Sequence, residues 1–413
     1  MPKRLTNFLD RVEKAGLVDE AAVQTILNLA DPFPDSALNA SGWPMMAGQN
    51  TVPMALTDYL NISAPVGVTT TWNFKVAFIP TAGNYNSSQY NNWDRASGQV
   101  GTASATATIL GQFNVWTWKA EDAEPDWLKV PPNQIITLDP RSSWSLSRIC
   151  AAGFELINTS TDLYRGGMYY GWRAPSMTSD MNCSLVSNPT ATTLSVYKLF
   201  SGVPASLSAI INLNTTVVGS ARDGIGVFSL PMEAENPLIP SLPMNIFLVN
   251  DMNSAACVIR VPANAATTNF YPWMPCGAYV TGLAQQATFQ LKSRVFYENV
   301  PDAASSTLLQ AIARPSVPHS FLAQELMAKM LVHMPCGFDY KENPFGEWFA
   351  KVLDALSMAA PIVGQLFPHP VVKTIATAAG PLLAQGATAL KAKVAEKKAK
   401  ALNQAQTIKR PAK

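Results

Sequence analysis

Residues 69–79, TTTWNFKVAFI, and 102–119, TASATATILGQFNVWTWK, decide how this chain is read. The first alternates β-branched and aromatic residues. The second continues the pattern through Phe113, Val115 and the run Trp116-Thr117-Trp118. β-Branched and aromatic side chains fit a pleated, half-buried surface, so both stretches predict strands. Similar stretches follow at Ser147–Thr159, Gly166–Arg173, Thr192–Phe200, Gly224–Leu230, Asn245–Val249, Ala256–Val261 and Ala287–Glu298, with Gly, Pro, Asn and Asp between them. Eight or so strands separated by turn chemistry predict a mainly β fold, an eight-stranded antiparallel jelly-roll sandwich. No strand alternates regularly with a long helix, which argues against a parallel α/β sheet.

Helical patterns flank this block. Leu5, Phe8, Leu9 and Val12 recur at i, i+3, i+4, i+7, and Gly16 stops that helix. Asp19 is placed to cap a second one carrying Val23, Ile26 and Leu27. Residues 31–68 contain Pro32, Pro34, Pro44, Pro53 and Pro65 with Gly42, Gly48 and Gly67, and predict an extended arm. Beyond Pro301 the pattern is helical again. Ser320–His333 sets Phe321, Leu322, Leu326, Met330 and Leu331 on one side, and Glu347–Met358 sets Trp348, Val352, Ala355 and Leu356.

Only 14% of the 413 residues are charged and 48% are hydrophobic. Soluble domains usually carry roughly 25% charge. A charge-poor surface is typical of one covered by other copies of the same chain. The net charge of +2 conceals an asymmetry. Residues 387–413 hold eight of the 30 basic residues and one of the 28 acidic ones, net +7, against −5 for the remainder. The basic residues are Lys391, Lys393, Lys397, Lys398, Lys400, Lys409, Arg410 and Lys413. Such a tail neutralises phosphates by counterion release, without reading base sequence. Before it, Ala355–Leu390 carries a single full charge, Lys373. Pro361, Pro368, Pro370 and Pro381 interrupt that apolar stretch, and a spanning helix needs about 20 continuous apolar residues.

The five cysteines, at 150, 183, 257, 276 and 336, are odd in number and contain no CxxC pair, so neither a disulfide framework nor a zinc site is predicted. The opening residues MPKRLTNFLDRVEKAG lack a signal-type apolar region, which predicts cytoplasmic synthesis.

Little in the chain suggests catalysis. The three histidines, His319, His333 and His369, form no H-x-x-H pair, and neither a G-x-S-x-G elbow nor a G-x-x-x-x-G-K loop occurs. Gly224-Ile225-Gly226 is read as a turn. Asp122, Glu124 and Asp126 form an acidic cluster, read as a solvated loop with a calcium site at a subunit boundary as the rival. Trp116, Trp118, Trp127 and Trp144 could stack on sugars, but tryptophans of a β-sandwich more often fill a core. No paired carboxylates stand out for glycoside hydrolysis. No cofactor is expected.

Three stretches share a further pattern. Leu29–Pro53, LADPFPDSALNASGWPMMAGQNTVP, resembles the D-P-F/Y-x-D…G-x-P arm of capsid proteins of noda-, tombus- and sobemo-like small positive-strand RNA viruses of invertebrates. Arg148–Pro175, RICAAGFELINTSTDLYRGGMYYGWRAP, is similar to the strand–turn–strand of the same group. Phe338–Val352, FDYKENPFGEWFAKV, is similar to its E-N-x-x-G-x-W-F block. Order and spacing agree across residues 29–360. The resemblance implies a non-enzymatic coat subunit that closes an icosahedral shell of many copies and packages single-stranded RNA, with the virion as its location. The chain departs from the group at its N-terminus, where Lys3, Arg4, Arg11 and Lys14 are balanced by Asp10, Glu13, Asp19 and Glu20. Basic charge stands at the C-terminus instead. Noda- and tetravirus capsids release a membrane-active C-terminal peptide by cleavage after Asn; neither Asn343, which precedes Pro344, nor Asn403 matches well.

The resulting division is 1–30 N-terminal helices, 31–68 Pro-rich arm, 69–300 jelly-roll shell domain, 301–360 helical closing segment and 361–413 internal C-terminal region. Residues 200–245 are set apart as a projection or subunit contact. The 355–390 stretch is expected beneath the shell, open to membrane contact during entry, and the lysines are the expected RNA ligands. The competing readings are a membrane-active, pore-forming β-protein and a carbohydrate-active β-sandwich enzyme. The sequence identifies no host receptor.

Overall fold

The computed structural model describes residues 19–33, 40–45, 48–78, 80, 105–110, 113–124, 144–174, 204, 206–232, 235–240, 245–250, 255–260, 273–302 and 307–339. The expected helix at 4–15, the strand at Thr192–Phe200 and everything beyond 339 lie outside these residues. Two compact units divide the chain. One comprises 19–320 with 336–341, and the other is represented among the described residues by 321–335.

The first unit is a sandwich of two antiparallel sheets. Its strands are β1 (Asn50–Ser63), β2 (Thr71–Phe78), β3 (Ala105–Leu110), β4 (Phe113–Lys119), β5 (Trp144–Asn158), β6 (Met168–Arg173), β7 (Val217–Ser220), β8 (Ile225–Ser229), β9 (Ile239–Pro240), β10 (Asn245–Asn250), β11 (Ala255–Arg260), β12 (Cys276–Ala284), β13 (Thr288–Pro301), β14 (Arg314–Pro315) and β15 (Gly337–Asp339). One sheet runs β14-β1-β13-β5-β8-β15, with β9 also on β5; the other runs β3-β4-β2-β12-β6-β7; β10 and β11 form a separate hairpin. Successive strands cross between the sheets, so β1-β13-β5-β8 faces β2-β12-β6-β7. That is the jelly-roll order, with short strands added at the margins.

The period-two pattern positions the core. Trp72, Phe74, Val76 and Phe78 of β2 are all buried, and so are Phe289, Leu291 and Val295 of β13. Phe74 meets Phe289 edge-on at 5.1 Å, and Phe78 meets Phe154 of β5 at 6.0 Å, which closes the space between the sheets. A glycine makes this approach fit: a Cβ at Gly171 of β6 would lie 2.4 Å from Ile225 Cδ1 of β8.

Several expectations change. The arm predicted over 31–68 ends early, because Asn50–Ser63 is a full sheet strand paired with β13 from Val52↔Asn299 to Ser63↔Thr288. Pro53 had suggested otherwise; it is tolerated because β1 lies near the sheet margin, beside only the two-residue β14. Strand β12 was missed altogether. Residues 102–119 form two paired strands rather than one. Within 200–245, set apart as a projection or contact, β7 and β8 take places in the two sheets, joined by a turn at Gly224 with φ +72°.

Helix α1 (Glu20–Ala30) forms as expected: the Asp19 carboxylate accepts the Ala21 N–H at 2.8 Å, and Pro32 follows directly after Asp31. Helices α2 (Leu207–Ile211) and α3 (Thr307–Ile312) are short. In the second unit, α4 (Phe321–His333) buries Ala323, Leu326 and Met327. Phe321, assigned to the apolar side by its spacing, is 73% exposed.

Candidate functional site

The outer face of the β1-β13-β5-β8 sheet bears charges where a surface sheet would show solvated side chains, yet these charges are buried. The pleat turns Lys292, Arg294 and Glu298 of β13 outward, opposite Glu155, Gly153 and Arg148 of β5. Arg148 reaches this face only because of a bulge. Phe296 pairs with Ala151 and Tyr297 with Ile149, leaving Cys150 as the extra residue. One inserted residue reverses the alternation, so Arg148 emerges beside Glu298 rather than between the sheets.

Over this face lie α1, residues 31–33 and residues 40–45. The Glu298 carboxylate gathers its donors: Trp43 N–H at 2.8 Å, Thr51 Oγ1 at 2.9 Å and Arg148 Nε at 2.7 Å. Arg148 Nη2 also donates to the carbonyls of Trp43 at 3.1 Å and Met45 at 3.0 Å. Both members of the pair are almost fully buried. Gly42 lies so close that an added Cβ would be 2.5 Å from Glu298 Oε1. Farther along, Arg294 Nη1 donates to the carbonyls of Pro32 and Phe33, at 3.3 and 3.1 Å, and its Nε to Thr57 Oγ1 at 3.1 Å. The backbone oxygens of the arm are thus held by two arginines fixed in the sheet.

Apolar contacts complete the seam. The Phe33 ring lies 5.9 Å from Phe228 of β8, and Phe228 lies 5.1 Å from Phe338 of β15. Beneath the arm, a Cβ at Gly153 would be 3.0 Å from the Phe33 ring and 3.3 Å from Pro32. Burial pushes the Asp31 carboxyl above its ordinary range, partly offset by the Phe33 N–H it accepts and by Arg294 and Lys292. Burial likewise raises Glu155, with Lys292, whose Nζ is 3.7 Å away, opposing the rise and Asp31 adding to it.

The other sheet's outer face is aromatic. Trp116, Trp118, Trp172 and Tyr279 cluster there with Ile210 of α2. Trp116 and Trp118 are 6% and 1% exposed, so they fill a core and offer no sugar platform. Lys75, fully buried, places Nζ 3.1 Å from Glu124 and 5.7 Å from the Trp118 ring centroid. Of the acidic cluster, Glu124 is therefore an ion-pair partner of Lys75. Asp122 sits in the turn after β4, where its backbone N–H donates to Lys119, and Asp126 lies outside the described residues. Among the described residues no three His, Cys, Asp or Glu side chains gather as a metal site. No helix of the described residues is long and apolar enough to cross a membrane. The tail cations from Lys391 to Lys413 also lie outside them. Sequence reading did not nominate Arg148, Arg294 or Glu298, although charges at alternate positions within the apolar strand ending at Glu298 were a visible signal.

No family model and no curated protein matches this chain. Solved structures similar to it include infectious bursal virus derived T=1 particles, at 11% identity and TM-score 0.45, covering 80% of this chain and 97% of that one. The 60-mer BFDV capsid protein is similar at 10% identity and TM-score 0.25, covering 62% and 97%. Mud crab tombus-like virus is similar at 8% identity and TM-score 0.24, covering 61% and 90%.

Proposed function

We propose that this chain is the coat subunit of a small non-enveloped RNA virus, acting by assembly and not by catalysis. One observation carries the reading. The motifs quoted from 29–53, 148–175 and the start of 338–352 are remote in sequence but meet at one seam. Phe33 rests over Gly153 and stacks toward Phe228, and Phe338 closes the same aromatic line. A pattern first seen as three separate resemblances thus marks a single built feature, an arm fastened across one sheet of a jelly roll. The low charge of the chain, 14%, fits a subunit whose surface is shared with its copies.

In this role the sandwich tiles the shell, and the eight cations from Lys391 to Lys413 condense single-stranded RNA inside it. Negative-stain microscopy of the expressed protein, with the 260/280 nm absorbance ratio, tests both parts. Uniform spheres containing nucleic acid are expected, whereas monodisperse monomers overturn the coat reading. Deleting 391–413 should leave spheres that hold far less RNA; unchanged RNA content removes the tail assignment while leaving the shell intact.

A further inference from the structure

We infer that the arm seam is a pH-graded latch, in which Asp31 of the arm and Glu155 of β5 grip most tightly when protonated and slacken as both ionise. Four features of the seam point this way. Asp31 and Glu155 are 7% and 6% exposed, so water screens neither. Asp31 closes α1, its N–H donating to the Leu27 carbonyl at 2.9 Å, and the C-terminal end of a helix disfavours an anion. Both carboxyls lie over the same sheet face and repel each other when charged. Of the cations facing them, Arg294 is committed to the carbonyls of Pro32 and Phe33 and to Thr57, and Lys292, 3.7 Å from Glu155, offsets the burial of that acid only in part.

Among the described residues the charged groups facing the pair are Lys292 and Arg294 from β13 and the two acids themselves; β1 contributes the neutral Thr57, and the arm contributes the Phe33 N–H to Asp31 Oδ1 at 3.3 Å. Burial is the largest cause raising both acids, and it outweighs the two cations. The sign follows. A docked arm binds these protons more readily than a released one, so docking is strongest below the ordinary carboxylate range. It weakens as pH climbs from that range up to the raised values and is constant above them. Opening is then a response to loss of these two protons, and acid holds the arm shut. This latch lies within one chain and does not depend on the coat reading.

Hydrogen exchange on the full-length protein tests it, after correction for the chemical exchange rate at each pH. Amides of 20–33 should lose protection severalfold relative to those of β12 as pH rises from the ordinary carboxylate range to neutrality. In D31N/E155Q the arm should stay protected throughout and the slope should vanish. A wild-type slope of zero overturns the latch, as does a slope that persists in the double variant. If the double variant misfolds, E155Q alone, which keeps the side-chain shape, must flatten the slope; an unchanged slope in E155Q also overturns it.

Discussion

The two outer faces of the sandwich are covered in opposite ways. Over β1-β13-β5-β8 the cover is held by buried ions: Arg148 with Glu298, and Arg294 with the arm's carbonyls. Over β2-β12-β6-β7 it is held by aromatic area, Trp116, Trp118, Trp172 and Tyr279, with the pair Lys75–Glu124 beside them. Apolar area is non-directional, so an aromatic cover can slide by a residue at modest cost. A buried arginine that must meet particular carbonyls cannot. A buried ion pair adds little net stability compared with apolar packing, but it can select one arrangement. The ionic face fixes where the arm lies, and the aromatic face supplies bulk burial.

That contrast can be broken at several points. The largest effect is expected at the buried Arg148–Glu298 pair. Replacing Arg148 with Met leaves Glu298 buried without its cation and should cost about 3–5 kcal/mol in denaturant titrations. On the aromatic face itself, Gly277→Ala drives a methyl into the Val76 carbonyl and the Trp172 ring and should cost about 1–3 kcal/mol. Lys75→Met should cost less, about 1 kcal/mol, because Glu124 remains partly solvated and can relax toward water. A loss from Lys75→Met equal to that from Arg148→Met would erase the distinction between the faces. The smallest effect concerns reactivity. Burial pushes the Cys336 thiol up to about 12, and raises Cys150 and Cys276 well above the ordinary thiol range. Peptides containing these three should resist iodoacetamide in the native protein and label only on denaturation.

The same two covers explain what the sequence could and could not reveal. Strands such as β2 and β13, in which aromatic or branched residues alternate with Lys, Asn or Gln, were legible from their period. Strand β12, CGAYVTGLA, was not: buried over Cys276–Val280 on both faces, it shows neither alternation nor a helical stripe. Strand β1 was hidden by Pro53, which marks a margin as readily as a loop. The helix cap at Asp19 is a local interaction and was read correctly. The seam could not be found because its pairs join Trp43, Arg148 and Glu298, and no window along the chain contains them together. Its three motifs were visible, but their meeting was not.

Phe228 in β8 has one more consequence. It receives Phe33 from the start of the described chain and Phe338 from its end. Contacts closed across 195 residues (Phe33 to Phe228) and 110 residues (Phe228 to Phe338) make folding slow and late. During synthesis, the sheet cannot be finished until residue 338 has left the ribosome. The aromatic line across Phe228 thus acts as a clock, holding the sheet unfinished until Phe338 has joined it.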